Sequence, residues 1–246
     1  AIKGIEIPDS ITTISDQVFN HCSEIVTANL PNNLTSLGNT VFMDCSKLQS
    51  MNIPSGISGL GYETFRNCSV LVLEELPNNI ISIGNQCFYG CKKITIMNCL
   101  GDISSLGNEC FNYCSELLFF MLPNVTNVPT LGTKAFANTL IASGTGYIYV
   151  PDNLVDGFKS ATNWSAYADQ IKPISHLNIQ TIEIAKPNII NTYNNNKTAN
   201  IKVTYNGGDT SLFYPEQEGY TLSVSGNATL DGDILSLTDN AQVGDV

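Results

Sequence analysis

One interval governs this sequence. Phe19, Phe42, Phe65, Phe88 and Phe111 stand 23 residues apart, and Cys22, Cys45, Cys68, Cys91 and Cys114 keep the same spacing. Pro8, Pro31, Pro54 and Pro77 form a third column at that interval, with Leu100 in the next slot and Pro123 resuming the series. Ser15, Gly38, Gly61, Gly84 and Gly107 form a fourth. Self-similarity at a fixed period of about 20 to 50 residues dictates a solenoid, in which each unit buries its apolar face only against its neighbours.

One unit is legible through residues 25–47. In "IVTANLP", Ile25, Ala28 and Leu30 carry the L-x-x-L-x-L spacing of a leucine-rich coil, and a proline then ends ladder pairing. A short strand holds the last two apolar positions on one face. Leu34 and Leu37 of "NNLTSLG" point inward, and Gly38 is expected to allow a tight turn. "NTVFMDCSKL" then packs Val41, Phe42 and Cys45 inward, at a spacing that suits one short helical turn.

The cysteines follow from the same columns. Each coil needs a large filler, Phe, and a small one, and reduced Cys is among the most buried residue types. Cys87 and Cys110 share the column of Val18, Val41 and Thr64, while Cys99 sits in that of Leu30, Ile53, Leu76 and Leu122. All eight thiols are therefore expected in core columns. Two sharper readings remain open. Cys87-x-x-x-Cys91 followed by Cys110-x-x-x-Cys114 superficially resembles a four-thiolate zinc site. Disulfides between neighbouring coils are the other, since stacked columns lie roughly 5 Å apart. Parallel side chains in register make poor disulfide geometry, so free thiols are the expectation.

The stretch "IPDSITTISDQVFNHCSEIVTANLPNNLTSLGNTVFMDCSKL" resembles the BspA-type leucine-rich repeats of bacterial surface proteins. Their pattern, I-P-x-x-V-x-x-I-G-x-x-A-F-x-x-C-x-x-L, matches column for column over residues 1 to about 140. Later copies depart from it: Leu100 replaces the proline, 25 residues separate Phe111 from Phe136, and Thr139 stands where the Cys belongs. The resemblance implies a secreted or cell-surface protein that is not an enzyme, needs no cofactor, and recognises a host extracellular-matrix or cell-surface protein or glycan. A structural stalk of a longer anchored protein is the alternative.

The expected fold is a leucine-rich solenoid of short parallel strands with a helical cap over residues 1–175, then a small all-β sandwich over 176–246. In "GYIYVPDNLVDGFKSATNWSAYADQIKPI", Asp152 can N-cap a helix whose apolar positions Leu154, Val155 and Phe158 share one face. Trp164, the only tryptophan, reads as an anchor of that cap. From about 176, "TIEIA", "ANIKVTY", "YTLSVSG" and "DILSLT" alternate apolar and polar residues between Asn-, Gly- and Asp-rich turns. This part resembles bacterial immunoglobulin-like modules, and "AQVGDV" falls where a closing strand is expected. The chain opens part-way through a repeat, without a signal-peptide pattern, so natural sequence is expected upstream.

Composition and chemistry exclude more than they assign. A formal charge of −11, with 11 Lys and Arg in all, argues against nucleic acid and anionic membrane surfaces as partners. Hydrophobic residues reach 43%, yet no 18-residue apolar run occurs to cross a membrane. The two histidines, His21 and His176, do not assemble into a Ser–His–Asp or Cys–His set. "SGTGYIYV" leads into a strand and so is no phosphate loop, and "DGD" at 231–233 reads as a hairpin turn instead of a calcium loop. N-x-S/T triplets at Asn33, Asn67, Asn124, Asn163, Asn196 and Asn227 are expected by chance in so Asn-rich a chain.

Recognition is then expected on the strand-lined concave side. Its outer ladder reads Gly4, Thr27, Ser50, Leu73, Ile96, Phe119 and Tyr147; its inner one reads Glu6, Asn29, Asn52, Glu75, Asn98, Met121 and Tyr149. The early coils are polar and the later ones apolar and aromatic. The candidate binding patch is Leu73, Glu75, Ile96, Asn98, Phe119, Met121, Tyr147 and Tyr149. Cover by the cap or the second module is the competing expectation for it. "LVLEELP" puts Glu74 in an inward column, which requires a bulge or a shifted register there.

Overall fold

The computed structural model describes residues 3–177 and, beyond them, the strands Ile179–Ile184, Lys197–Ala199, Ile201–Tyr205, Ala228–Asp231 and Ile234–Leu237. The chain divides into two compact units, 1–174 and 175–246. In the second, Ile179–Ile184 pairs antiparallel with Ile201–Tyr205, and Ile234–Leu237 pairs antiparallel with both Lys197–Ala199 and Ala228–Asp231. "YTLSVSG" and the expected closing strand lie outside the described residues.

The first unit is a parallel-strand solenoid. We number its coils at the 23-residue interval from the residue preceding the first strand: coil 1 from Lys3, then coils 2 to 6 from Val26, Gln49, Val72, Thr95 and Leu118. A first wall holds the strands Gly4–Glu6, Thr27–Asn29, Ser50–Met51, Glu75–Leu76, Ile96–Cys99, Phe119–Met121 and Tyr147–Val150. Paired strands up to Phe119–Met121 keep the 23-residue register, as in Gly4↔Thr27 and Phe119↔Ile96, whereas Phe119↔Tyr147 spans 28 residues. Leu100 N–H donates to the Leu76 carbonyl at 3.0 Å, a bond that a proline there would forbid.

A second wall was not visible in the sequence. Two-residue strands at Thr13–Ile14, Ser36–Leu37, Gly59–Leu60, Ser82–Ile83, Ser105–Leu106 and Thr130–Leu131 stack in parallel, each sending its second residue into the core. Coil 6 keeps the 23-residue register on the first wall but stands 25 residues from coil 5 at Ser105↔Thr130. Its two extra residues therefore lie between the walls.

The third wall consists of turns, where a helical turn had been expected. Within a coil, Cys45 N–H bonds to Phe42 O and Cys68 N–H to Phe65 O. Alternate amides also donate to the next coil: Thr40 N→Tyr62 O, Phe42 N→Thr64 O and Asp44 N→Arg66 O, at 2.8 to 2.9 Å. Both sets are satisfied together only because two residues per coil turn left-handed, here Thr40 (φ 53°) and Asp44 (φ 60°). The corresponding pairs are Gln17 and His21, Glu63 and Asn67, Gln86 and Gly90, Glu109 and Tyr113, and Lys134 and Asn138. Only one of these twelve is glycine, so the wall holds non-glycine residues in backbone they ordinarily avoid.

Between the walls, Phe19, Phe42, Phe65, Phe88, Phe111 and Phe136 form one stack with centroid spacings of 5.2 to 5.9 Å. All but Phe19 are buried. Among the described residues coil 1 packs only against coil 2, and two positions expected in the core are open there. Val18 is 50% exposed, although Val41, Thr64, Cys87 and Cys110 in its column are buried. Cys22 is half-buried, while the other seven cysteines are buried.

After Tyr147–Val150, a 3-10 turn at Asp152–Leu154 leads into a six-residue helix, Val155–Ser160. Asp152 is not the N-cap: Leu154 holds that position, and no side chain caps the helix. Phe158 is buried, with Leu154 and Val155 packed against the core. Trp164 is fully buried edge-on to Phe158 at 4.8 Å, and its Nε1 donates to Pro129 O at 2.7 Å. Tyr167 meets Phe136, the last ring of the stack, edge-on at 5.5 Å. The strand Ile171–Pro173 then pairs parallel with Ile148–Val150.

Candidate binding face

Strand alternation positions the outward columns of the first wall. In coils 1 to 3, Gly4, Glu6, Thr27, Asn29, Ser50 and Asn52 are exposed. Asn52 does structural work there: its Oδ1 accepts Leu30 N–H at 2.7 Å and its Nδ2 donates to Leu30 O at 2.8 Å. The side chain thus copies the two bonds a strand residue would make.

The eight candidate residues divide by position. The register brings Ile96, Phe119 and Tyr147 into one column and Glu75, Asn98, Met121 and Tyr149 into the other. Asn98 Nδ2 donates to Glu75 Oε2 at 3.3 Å. The Tyr149 ring lies 6.0 Å from Phe119 and 6.3 Å from Tyr147, and Lys172 Nζ stands 5.5 Å over the Tyr147 ring. Ile96, Phe119 and Tyr149 are nevertheless buried, at 8, 7 and 5% exposure. Met121, Tyr147 and Asn98 are half-buried, and Glu75 is exposed.

Leu73 does not join them. Pairing in coil 4 begins only at Glu75↔Asn98, and Leu73 lies ahead of it, packed against the main core. The register is unshifted: Val72 N–H still reaches Gln49 O and Glu74 O accepts Asn98 N–H, but no strand pairing forms at Leu73. That local irregularity resolves the conflict posed by Glu74.

The thiols show why Cys recurs. Cys45 Sγ donates to Phe19 O at 3.1 Å, Cys68 to Phe42 O, Cys91 to Phe65 O and Cys114 to Phe88 O, each reaching back one coil. The small filler is therefore also a donor that ties neighbouring coils, a bond the column pattern alone could not reveal. Thr139 in this column turns its hydroxyl to Phe136 O of its own coil at 2.6 Å. Burial pushes the Cys45 thiol up to about 12, and those of Cys68, Cys87, Cys91, Cys99, Cys110 and Cys114 rise for the same reason. All eight are free, and among the described residues no group of His, Cys, Asp and Glu is placed to hold a metal ion. His21 Nδ1 stands 3.1 Å from Asp44 Oδ2 on the turn wall, and His176 lies in the turn Ile174–Leu177.

A polar network on the turn wall also escaped the sequence. Arg66, the only arginine, binds Glu63 and Gln86 and lies 4.9 Å over the Tyr89 ring. Gln86 continues it to Glu109 at 3.2 Å. These residues occupy variable columns, which carry no periodic signal.

The repeat unit so assembled matches the model of the BspA type leucine rich repeat region, with 6 copies over residues 1–115 and 47–154, together 1–154 of 246. The chain belongs to the BspA-type leucine-rich repeat family. No curated protein matches it. Among solved structures, this BspA-type protein is similar to a leucine rich cell surface protein from Faecalibacterium prausnitzii A2-165, at 21% identity over 69% of this chain and 35% of that one, TM-score 0.42. It is also similar to the leucine rich repeat protein TpLRR of T. pallidum, at 20% identity over 61% and 58%, TM-score 0.37. A leucine-rich repeat protein from Bacteroides ovatus ATCC 8483 matches at 19% identity over 69% and 54%, TM-score 0.44. The chain spans less than two thirds of the length of each of these three.

Proposed function

We propose that this BspA-type segment is a non-enzymatic part of a secreted or surface-displayed bacterial protein, and that it recognises an extracellular protein or glycan through the outward columns of its first wall. The observation that carries this is the unbroken register of those columns from Ile96 to Tyr147, with a rigid Phe and Cys wall behind them. Side chains that alternate regularly along stacked strands present a preorganised face, which lowers the ordering cost of binding. Glu75, Met121 and Tyr147 offer the accessible part of that face. On this reading residues 151–173 cap the solenoid, and 176–246 form an immunoglobulin-like spacer.

The stalk reading is favoured by one specific observation: Ile96, Phe119 and Tyr149 are buried, so the apolar area left for a partner is small. The two readings separate in a binding assay against immobilised extracellular-matrix proteins and neutral polysaccharides. Carrying Met121→Asp and Tyr147→Asp together should weaken capture about tenfold or more, with an unaltered thermal melt. Capture that does not change, or no capture by the parent protein, assigns the segment to a spacer role.

A further inference from the structure

We propose that coil 3 is an articulation in the solenoid, at which the coils before and after it rock about the turn wall. The main-chain ladders on the other two walls are both interrupted there, on opposite sides of that coil. On the first wall the described strands form two sheets, one ending at Ser50–Met51 in coil 3 and the next beginning at Glu75–Leu76 in coil 4. On the second wall the interruption falls one coil earlier, between Ser36–Leu37 of coil 2 and Gly59–Leu60 of coil 3.

At each boundary the turn wall stays bonded together with one other wall: the first between coils 2 and 3, as in Thr27↔Ser50, and the second between coils 3 and 4, as in Gly59↔Ser82. Between coils 2 and 3 the turn wall keeps Thr40 N→Tyr62 O, Phe42 N→Thr64 O and Asp44 N→Arg66 O. Between coils 3 and 4 it keeps Glu63 N→Asn85 O, Phe65 N→Cys87 O and Asn67 N→Tyr89 O, at 2.7 to 3.0 Å. The turn wall is thus continuous where each of the other two is cut once. On the first wall, one bond still spans coils 3 and 4, Val72 N→Gln49 O at 2.9 Å.

Two features of coil 3 itself agree. Asn52 bonds back to Leu30 of coil 2 and makes no forward link in its place. A column of side-chain oxygens elsewhere ties each coil to the next: Asp16 Oδ1 accepts Asn39 N–H, Asn39 accepts Tyr62 N–H, Asn85 accepts Asn108 N–H and Asn108 accepts Thr133 N–H. Tyr62 has no such oxygen, and the column skips the boundary between coils 3 and 4. In a solenoid, stability is a sum of unit and nearest-neighbour terms, and weakened neighbours localise opening.

The test is native-state hydrogen exchange on the full chain with site resolution. Each compared amide is bonded across a boundary: Val72, Ile81 and Gly84 between coils 3 and 4, and Ser104 and Gly107 between coils 4 and 5. The first group should exchange about tenfold or more faster than the second, after correction for intrinsic rates. Exchange that differs by less overturns the proposal. Tyr62→Asn restores the missing column oxygen and should slow Gly84 towards the rate of Gly107; a fully folded variant with no slowing also overturns it. Should that variant not fold, the comparison within the parent protein decides alone.

Discussion

A single atom explains the glycine column. Gly38, Gly61, Gly84 and Gly107 do not adopt left-handed backbone, so the turn expected of Gly38 is not what selects it. A Cβ on Gly107 would lie 2.4 Å from Asn85 N and 2.5 Å from Gly84 C, inside any tolerable approach. At Gly38, Gly84 and Gly107 neighbouring coils close to backbone contact, and at Gly61 the Asn39 Oδ1 fills the same space, so only a missing side chain fits. Gly107→Ala must therefore push two coils apart, and is expected to destabilise the solenoid by about 1 to 3 kcal/mol. Equilibrium urea unfolding followed by circular dichroism measures this; an unchanged midpoint would refute the close-approach explanation. The sequence shows the column but not its cause, because tight turn and close approach both demand the same residue.

Among the elements, the repeating strands and the last helix differ in legibility. The first wall was readable because Ile25, Ala28 and Leu30 recur with a fixed alternation. The second wall was not, since strands as short as Ser36–Leu37 leave no period to detect. On the turn wall, Asp44, Asn67, Gly90 and Asn138 hint at left-handed backbone, but Gln17, Thr40 and Glu63 in the partner column conceal it. The burial of Ile96 and Phe119 was beyond reach as well, because alternation tells which way a residue points and not what covers it. In the segment after Val150, Trp164 is fully buried against Phe158, while the helix starts without the side-chain cap expected from Asp152. Trp164→Ala removes a fully buried indole and leaves Pro129 O without its donor. A loss of about 3 to 5 kcal/mol is expected, read as a lowered urea midpoint by circular dichroism. A midpoint within error of the parent would mean that this segment does not stabilise the solenoid.

Over the whole molecule, the core of the solenoid couples folding to the protonation of its thiols. Cys45 is raised from an ordinary 9.0 to about 12, chiefly by burial, and six further thiols move the same way. A group whose pKa is raised in the folded state keeps its proton there after the unfolded chain has lost it. Stability is then fully present below about pH 9 and falls as pH climbs towards the folded value, by about 1.4 kcal/mol per unit for each such thiol. Urea midpoints under reducing conditions should be level from pH 6 to 8 and drop steeply above about pH 9. A flat profile to pH 11 would show that the thiols are not buried as described.

The same seven thiols give the account its most direct test. Reaction of the reduced native protein with a chromogenic aromatic disulfide should titrate one thiol promptly, the half-buried Cys22, with the remaining seven appearing only on unfolding in denaturant. Several thiols reacting at once in the folded protein, or fewer than eight in the denatured one before any reductant is added, would contradict a solenoid whose cysteines serve as buried, hydrogen-bonded wall.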